Sequence, residues 1–161
     1  MPRMRANSRE ELNRVQLTKL RELLTAVRPD NAFYEAKLGQ AGIDDSVASL
    51  AEFRANCPFT TKPELTADNA ANPPHGSNLT FPPGRYTRVH QTSGTSGAPL
   101  RWLDTPENWQ WMIDNWCDIF HAAGVSSADR IFFAFSFGPF IGFWLAFEAS
   151  EALGALSIPG G

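Results

Sequence analysis

The sequence has few of the features that mark extracellular, metal-binding or nucleic-acid-binding proteins. Its two cysteines, Cys57 and Cys117, lie far apart, which excludes a disulfide framework and a Cys-x-x-Cys zinc site. The three histidines add no metal-ligand spacing. A formal net charge of -3 provides no positive field that would attract nucleic acid or an anionic membrane surface. No apolar segment follows the basic residues 1–5, so we expect no export signal and a cytoplasmic protein.

One long uncharged run, Ile131 to Phe147, could be taken for a membrane span. It contains Gly138-Pro139 in its middle, and its length is at the lower end of the range that crosses a bilayer. These features favour a buried strand, a turn and a buried helix. A membrane-anchored protein remains the alternative, and it would partition with lipid.

Residues 1–68 are predicted to be helical. Ser8 to Glu11 form a capping box, and apolar residues follow at helical spacing as far as Val27. Shorter helices are predicted over Ala32–Leu38, ended by Gly39, and over Val47–Ala55. Asparagine, proline and glycine dominate residues 69–85, which predicts a linker loop.

Residues 86–161 change to an alternation of strands and helices. The pattern predicts, in order, strands over Tyr86–Gln91 and Leu100–Leu103, a helix from Pro106 to Gly124, a strand over Ile131–Phe135, a helix over Phe140–Leu153 and a strand over Ala155–Ile158. The continuous apolar run of the third strand predicts that both of its faces are covered. This order is typical of an α/β fold with a crossover helix on a partly parallel sheet. Because the chain stops directly after a predicted strand, we expect it to be truncated.

The loop between the first two predicted strands is rich in groups that bind phosphate. Gln91-Thr-Ser-Gly-Thr-Ser-Gly-Ala-Pro99 places four hydroxyls and two glycines in six successive residues. Glycines let successive N–H groups point at one anion, and hydroxyls add further donors. The spacing of a Walker A loop and its lysine are absent. The alternative is a polar hairpin loop that binds nothing.

Thr-Ser-Gly-Thr-Ser-Gly-x-Pro resembles the phosphate-binding signature of the adenylate-forming enzymes, the superfamily of acyl-CoA synthetases, luciferases and peptide-synthetase adenylation domains. Further segments, in order, resemble blocks of its phenylacetate-coenzyme A ligase family: Pro58–Leu65, Arg88–Gln91, His121–Val125, Phe137–Phe140 and Leu153–Gly161. The resemblance runs from about Ala32 to the last residue. It implies an α/β fold in which a helical segment precedes the first part of the large AMP-binding domain, 86–161, with the phosphate loop at 92–99. The carboxyl-terminal lid domain of the family would be absent.

The resemblance implies a two-step reaction in which an aromatic, phenylacetate-like carboxylic acid attacks Mg-ATP to give an acyl adenylate, and coenzyme A then displaces AMP. The expected ATP-phosphate ligands are Thr92, Ser93, Gly94, Thr95, Ser96 and Gly97. Phe137, Gly138 and Phe140 would lie near the pocket for the acid, although dense aromatics are also typical of a core. Ala98 occupies a position that is often lysine in the superfamily. The only metal expected is the Mg²⁺ that arrives with ATP.

The only lysines, Lys19, Lys37 and Lys62, all precede the loop. The family's catalytic lysine lies in its later half, so we expect no catalytic residue in this chain and no activity from the chain alone. A truncated homologue that only binds nucleotide, or serves as an interaction module, is the alternative. His90 could approach the phosphates or form a hydrogen bond within its strand, and we favour the strand. The expected partners are small molecules, and a homodimer stays open.

Overall fold

The computed structural model describes residues 8–92 and 99–161. The chain divides into two compact units, the first ending at Pro83 and the second beginning at Gly84. In the described ranges the first unit is built from helices, and the second combines helices with strands. The mixed α/β class predicted from the sequence is confirmed.

The first unit contains helices α1 (Arg9–Val27), α2 (Ala32–Gln40), α3 (Leu50–Asn56) and α4 (Lys62–Ala71). The first three begin at a polar side chain that accepts a hydrogen bond from a backbone N–H of the first turn. These capping residues are Ser8, Asn31 and Ser49. The helices enclose a small aliphatic core of Leu24, Leu38, Ile43 and Val47.

Two predicted helix limits in the first unit were wrong. Helix α2 continues one residue past Gly39, and the chain turns at Gly42, whose φ of +67° is a conformation that glycine adopts without strain. Helix α3 begins at Leu50 and not at Val47. Val47 instead lies buried ahead of the helix, and its carbonyl oxygen accepts a hydrogen bond from the Arg21 guanidinium at 2.8 Å.

Helix α4 was not predicted as a separate element, and it extends through Ala71, into the segment predicted to be a linker from residue 69. The Glu64 carboxylate reaches back to accept hydrogen bonds from the backbone N–H of Thr61 at 2.6 Å and from its hydroxyl at 2.8 Å. Pro63 occupies the first turn, where a missing N–H leaves no bond unmade. Leu65 is buried and holds the helix onto its unit.

In the second unit, strands β1 (Arg88–Gln91) and β2 (Arg101–Asp104) form an antiparallel pair in which Arg88 lies opposite Asp104 and Gln91 opposite Arg101. Helix α5 (Pro106–Ala122) follows, capped by the Thr105 hydroxyl. Strand β3 (Arg130–Phe133), helix α6 (Ile141–Leu153) and strand β4 (Leu156–Pro159) complete the unit. Trp109 and Ile113 of α5 pack against Leu145 and Ala149 of α6.

The predicted crossover is present, since β3 and β4 pair in parallel and α6 connects them. The described strands nevertheless form two separate two-stranded sheets, β1-β2 and β3-β4, where the sequence predicted one partly parallel sheet. The two sheets are connected differently. Strands β1 and β2 are antiparallel and follow each other directly, whereas β3 and β4 are parallel and need α6 as a crossover between them.

The prediction that the third strand is covered on both faces was wrong for this chain. Phe133 is buried, but Phe132 is 61% exposed and its neighbour Ile158 on β4 is 38% exposed. Side chains alternate between the faces of a strand, so only the Phe133 face has a partner. A continuous apolar run therefore does not by itself show that both faces are packed.

The uncharged segment 131–147 divides between β3, a turn and the first half of α6. Helix α6 has 13 residues. Across residues 8–92 and 99–161 no helix is both long enough and apolar enough to cross a membrane.

Candidate functional site

The two strands that flank the Ser/Thr/Gly loop are joined at its base by Thr92 and Leu100. The N–H of Thr92 donates to the carbonyl oxygen of Leu100 at 2.9 Å, and the N–H of Leu100 donates to the Thr92 hydroxyl oxygen at 3.0 Å. Leu100 is buried, which anchors the returning strand. The loop between them thus starts and ends at a fixed, closed hairpin base.

Of the six predicted phosphate ligands, the structure places Thr92, and the other five lie outside the described residues: Ser93, Gly94, Thr95, Ser96 and Gly97. Thr92 is half-buried, and its hydroxyl oxygen is already an acceptor for Leu100. A hydroxyl can donate one hydrogen bond while it accepts another, so Thr92 can still donate to a phosphate oxygen. The predicted role of all six residues remains a prediction.

The turn that carries the predicted pocket residues is tied to the same hairpin. The N–H of Gln91 donates to the carbonyl oxygen of Pro139 at 2.9 Å. Within the turn, the carbonyl oxygen of Gly138 accepts a hydrogen bond from the indole N–H of Trp144 at 2.8 Å. Phe140 is the residue directly before α6. These bonds place the turn directly beside the strand that leads into the loop.

Phe137 is half-buried within a cluster of aromatic rings. It meets Trp144 edge to face with ring centroids 4.9 Å apart and meets Phe147 in the same way at 5.2 Å. Phe140 contacts Phe143, which stacks on Phe135 at 4.0 Å. Such geometry stabilises packing among the rings and would also suit an aromatic ligand. The cluster therefore serves as core in this chain, and its role as a pocket remains a prediction.

A charged network lies on the face of the hairpin that packs against α5 and α6. The Arg88 guanidinium forms a two-pronged ion pair with the Glu148 carboxylate, at 2.6 and 2.9 Å. The indole N–H of Trp109 donates to the same carboxylate at 2.7 Å, and the guanidinium lies 4.3 Å from the centroid of that indole ring. One helix acid thereby connects β1, α5 and α6.

His90 and Asp104 form a second, more deeply buried pair beside this network. His90 is 5% exposed and stacks on Trp109, with ring centroids 4.9 Å apart and planes 9° apart. Its Nδ1 lies 3.6 Å from Oδ2 of Asp104, and neither atom has a hydrogen-bond partner among the described residues. Burial raises the pKa of the Asp104 carboxyl, and the nearby His90 and Arg88 partly oppose that rise.

The sequence predicted His90 to be a strand residue that forms a hydrogen bond; it does lie on β1, but its Nδ1 has no hydrogen-bond partner among the described residues. The sequence gave no role to Arg88, Asp104 or Glu148. Glu148 offered one signal, since an acid within the apolar run of α6 needs a partner when it is buried. The partner lies 60 residues away, so no local pattern could identify it. Both cysteines are free thiols, and across residues 8–92 and 99–161 no group of three or more His, Cys, Asp or Glu side chains could hold a metal ion.

Comparison with known proteins supports one family. No protein-family model matches the chain. The phenylacetate-coenzyme A ligase of Escherichia coli K12 is 32% identical over 155 residues, which cover 93% of this chain and 33% of the ligase. The ligases of the same name from Aromatoleum evansii and Pseudomonas putida are 29% and 28% identical, over 94% and 97% of this chain. The chain spans about a third of the length of these curated relatives.

Solved structures agree with the sequence matches. An open conformation of 2-hydroxyisobutyryl-CoA ligase, in complex with 2-HIB-AMP and CoA, superposes with a TM-score of 0.88 and 26% identity over 96% of this chain and 36% of the ligase. The same enzyme in its thioesterification state gives a TM-score of 0.88 and 28% identity, over 95% of this chain and 32% of the ligase. Identity and fold point to the same group of enzymes.

Proposed function

We propose that this chain, which belongs to the phenylacetate-coenzyme A ligase family of adenylate-forming enzymes, forms the triphosphate-binding part of a carboxylate–CoA ligase. The observation that carries the proposal is the closed hairpin base at Thr92 and Leu100, which holds the family's Ser/Thr/Gly sequence between two fixed strands. The solved relatives, which hold an acyl adenylate and CoA, support the same reaction.

In the proposed reaction a carboxylate oxygen attacks the α-phosphorus of Mg-ATP and pyrophosphate leaves, giving an acyl adenylate. The thiol of coenzyme A then attacks the acyl carbon, and AMP leaves. Negative charge builds up on the departing pyrophosphate, so backbone N–H groups and hydroxyls that face it lower the barrier. Residues 92–97 would provide these donors, and Thr92 would add its hydroxyl proton.

We also propose that the acid binds beside the turn of Phe137, Gly138 and Phe140, because the Gln91–Pro139 hydrogen bond ties this turn to the strand that leads into the loop. The aromatic cluster favours an aryl acid such as phenylacetate. The relatives named above act on phenylacetate or on 2-hydroxyisobutyryl substrates, so these two acids are the sharpest pair to compare. We place the protein in the cytoplasm, where its two free thiols would stay reduced.

The test is acid-dependent ATP–pyrophosphate exchange by the full-length protein that contains this chain, with phenylacetate and 2-hydroxyisobutyrate supplied in turn. We expect exchange that is faster with phenylacetate. Replacing Thr92 and Ser93 together by alanine should slow it by about a hundredfold, as expected when donors to a developing charge are lost. Thr87→Ala removes an exposed hydroxyl from the same segment and should leave exchange unchanged.

Exchange at the wild-type rate in the Thr92/Ser93 double variant would count against the phosphate-loop assignment. The alternative function predicted from the sequence is a module that binds nucleotide without activating an acid. ATP binding without exchange, with either acid, would support that module and reject the ligase.

A further inference from the structure

The buried pair of His90 and Asp104 lies at the two strands that flank the loop, and the local bonding of the hairpin does not require it. His90 is on β1, two residues before Thr92, and Asp104 ends β2. The base of the loop is already closed by Thr92 and Leu100. A histidine and an aspartate are expensive to bury without partners, so their position needs an explanation.

The charges around the pair favour a proton on Nδ1 of His90. Arg88 on β1 is positive, and Glu148 on α6 and Asp104 on β2 are negative, while Trp109 on α5 is neutral. Arg88 and Glu148 neutralise each other through their two-pronged ion pair. Asp104 is then the unmatched charge, and the Nδ1–H of His90 is the donor that faces it.

The distance also points to an adjustable contact. Nδ1 and Oδ2 are 3.6 Å apart, beyond a normal hydrogen bond, and a shift of about half an ångström would bring them into range. The stacking of His90 on Trp109 fixes the plane of the imidazole ring, so Asp104 is the partner that orients its Nδ1 side.

We propose that His90 is a positioning residue for ATP: its Nδ1–H, paired with Asp104, adds a side-chain contact between β1 and β2 to the backbone bonds at Thr92 and Leu100, and together these contacts hold the strands before and after the phosphate loop in the arrangement that binds the triphosphate. The inference rests on the proposed function and goes beyond it, because neither residue touches the nucleotide. The pair acts through the hairpin, so its loss should weaken ATP binding more than it slows the chemical step.

Two substitutions of His90 separate the donor from the ring. His90→Phe keeps a flat ring on Trp109 but removes Nδ1, and His90→Asn keeps a side-chain N–H near the position of Nδ1 but removes the ring. In the full-length protein, we expect His90→Phe to raise KM for ATP about tenfold with kcat changed less than twofold, as expected for lost ground-state binding. His90→Asn should stay within about threefold of the wild-type KM.

A double-mutant cycle with Asp104→Ala tests whether the two residues act as a unit. Asp104→Ala alone should raise KM for ATP by a factor similar to His90→Phe, and the double variant should be no worse than either single variant. Asp114→Asn, which neutralises an exposed acid on α5, is the control and should leave KM unchanged. Tryptophan fluorescence verifies that each variant is folded, since Trp109 is in contact with the pair.

The opposite ranking, with His90→Phe like wild type and His90→Asn impaired, would show that only ring packing matters and would overturn the inference. Additive effects of His90→Phe and Asp104→Ala would overturn it as well. If wild-type protein shows exchange and none of these variants changes KM, the inference fails while the proposed function stands. If wild-type protein shows no exchange with any acid, both fail.

Discussion

The two units of the chain differ in the polar networks that accompany their helix caps. In the first unit Ser8, Asn31 and Ser49 each bond a backbone N–H three residues ahead, and a longer-range contact such as that of Arg21 joins one side chain to one carbonyl oxygen. In the second unit Thr105 caps α5 in the same way, and in addition Arg88, Trp109 and Glu148 form one network that joins elements up to 60 residues apart in sequence. Local caps define where a helix begins, whereas the buried network defines which elements meet.

The difference predicts that polar substitutions will have unequal effects in the two units. A cap that loses its side chain exposes one N–H group to water, and water replaces the bond in part. A network that loses one member leaves its former partners unpaired in a place that water reaches poorly. Tryptophan fluorescence reports unfolding of the second unit, because all five tryptophans lie there.

The largest effect is expected from Glu148→Ala, which leaves the Arg88 guanidinium and the Trp109 indole N–H without their shared acceptor. We expect the free energy of unfolding to fall by about 2–3 kcal/mol, below the full value for a buried charge because the Arg88 side chain is 37% exposed. Urea unfolding followed by tryptophan fluorescence measures this loss.

Glu151→Ala is the matched control, since the same substitution is made at an exposed position of the same helix. It should change the free energy of unfolding by less than about 0.5 kcal/mol. Equal effects of the two substitutions would mean that the network adds nothing beyond helix propensity, and the contrast between the units would disappear.

The parts of the fold that depend on nearest neighbours were predictable from the sequence. Ser8 and Thr105 start helices through contacts three residues away, and the sequence predicted a helix at each of these two places. Thr61 and Glu64 form a capping box as well, but no helix was predicted from it, so the bounds of α4 were missed. Strand pairing was less accessible, because the separation into two sheets depends on contacts between distant residues.

In the candidate site, too, local features were predictable from the sequence and contacts between distant residues were not. The Ser/Thr/Gly composition left a phosphate loop and a polar hairpin loop open, resemblance favoured the phosphate loop, and the turn at Phe137–Phe140 was identified by resemblance; both roles remain predictions. The Arg88–Glu148 ion pair and the His90–Asp104 pair could not be predicted, because each joins residues whose sequence neighbourhoods give no sign of the other. Phe132 shows an error of the opposite kind. The apolar run predicted that its side chain is buried, and in this chain it is exposed.

A smaller effect is expected at a helix cap in the first unit. Ser49→Ala removes the acceptor that holds the N–H of Glu52 at 3.0 Å. It should lower the free energy of unfolding by about 1 kcal/mol, measured by circular dichroism at 222 nm. Ser49→Asp restores an acceptor and should recover most of the loss. A loss as large as that of Glu148→Ala would contradict the distinction between local caps and buried networks.

The smallest effect, and the one that depends on pH, is expected at Glu64. Hydrogen bonds from Lys37, the Thr61 N–H and the Thr61 hydroxyl lower the pKa of this carboxyl from 4.5 to about 2. A carboxyl whose pKa is lowered by folding stabilises the folded state above its unfolded pKa, and the contribution disappears as the pH falls through the folded pKa. The stability difference between wild type and Glu64→Gln should therefore be complete at neutral pH, shrink below about pH 4.5 and vanish near pH 2. A wild-type advantage over Glu64→Gln that is unchanged at pH 2 would show that the ionised carboxylate is not its source.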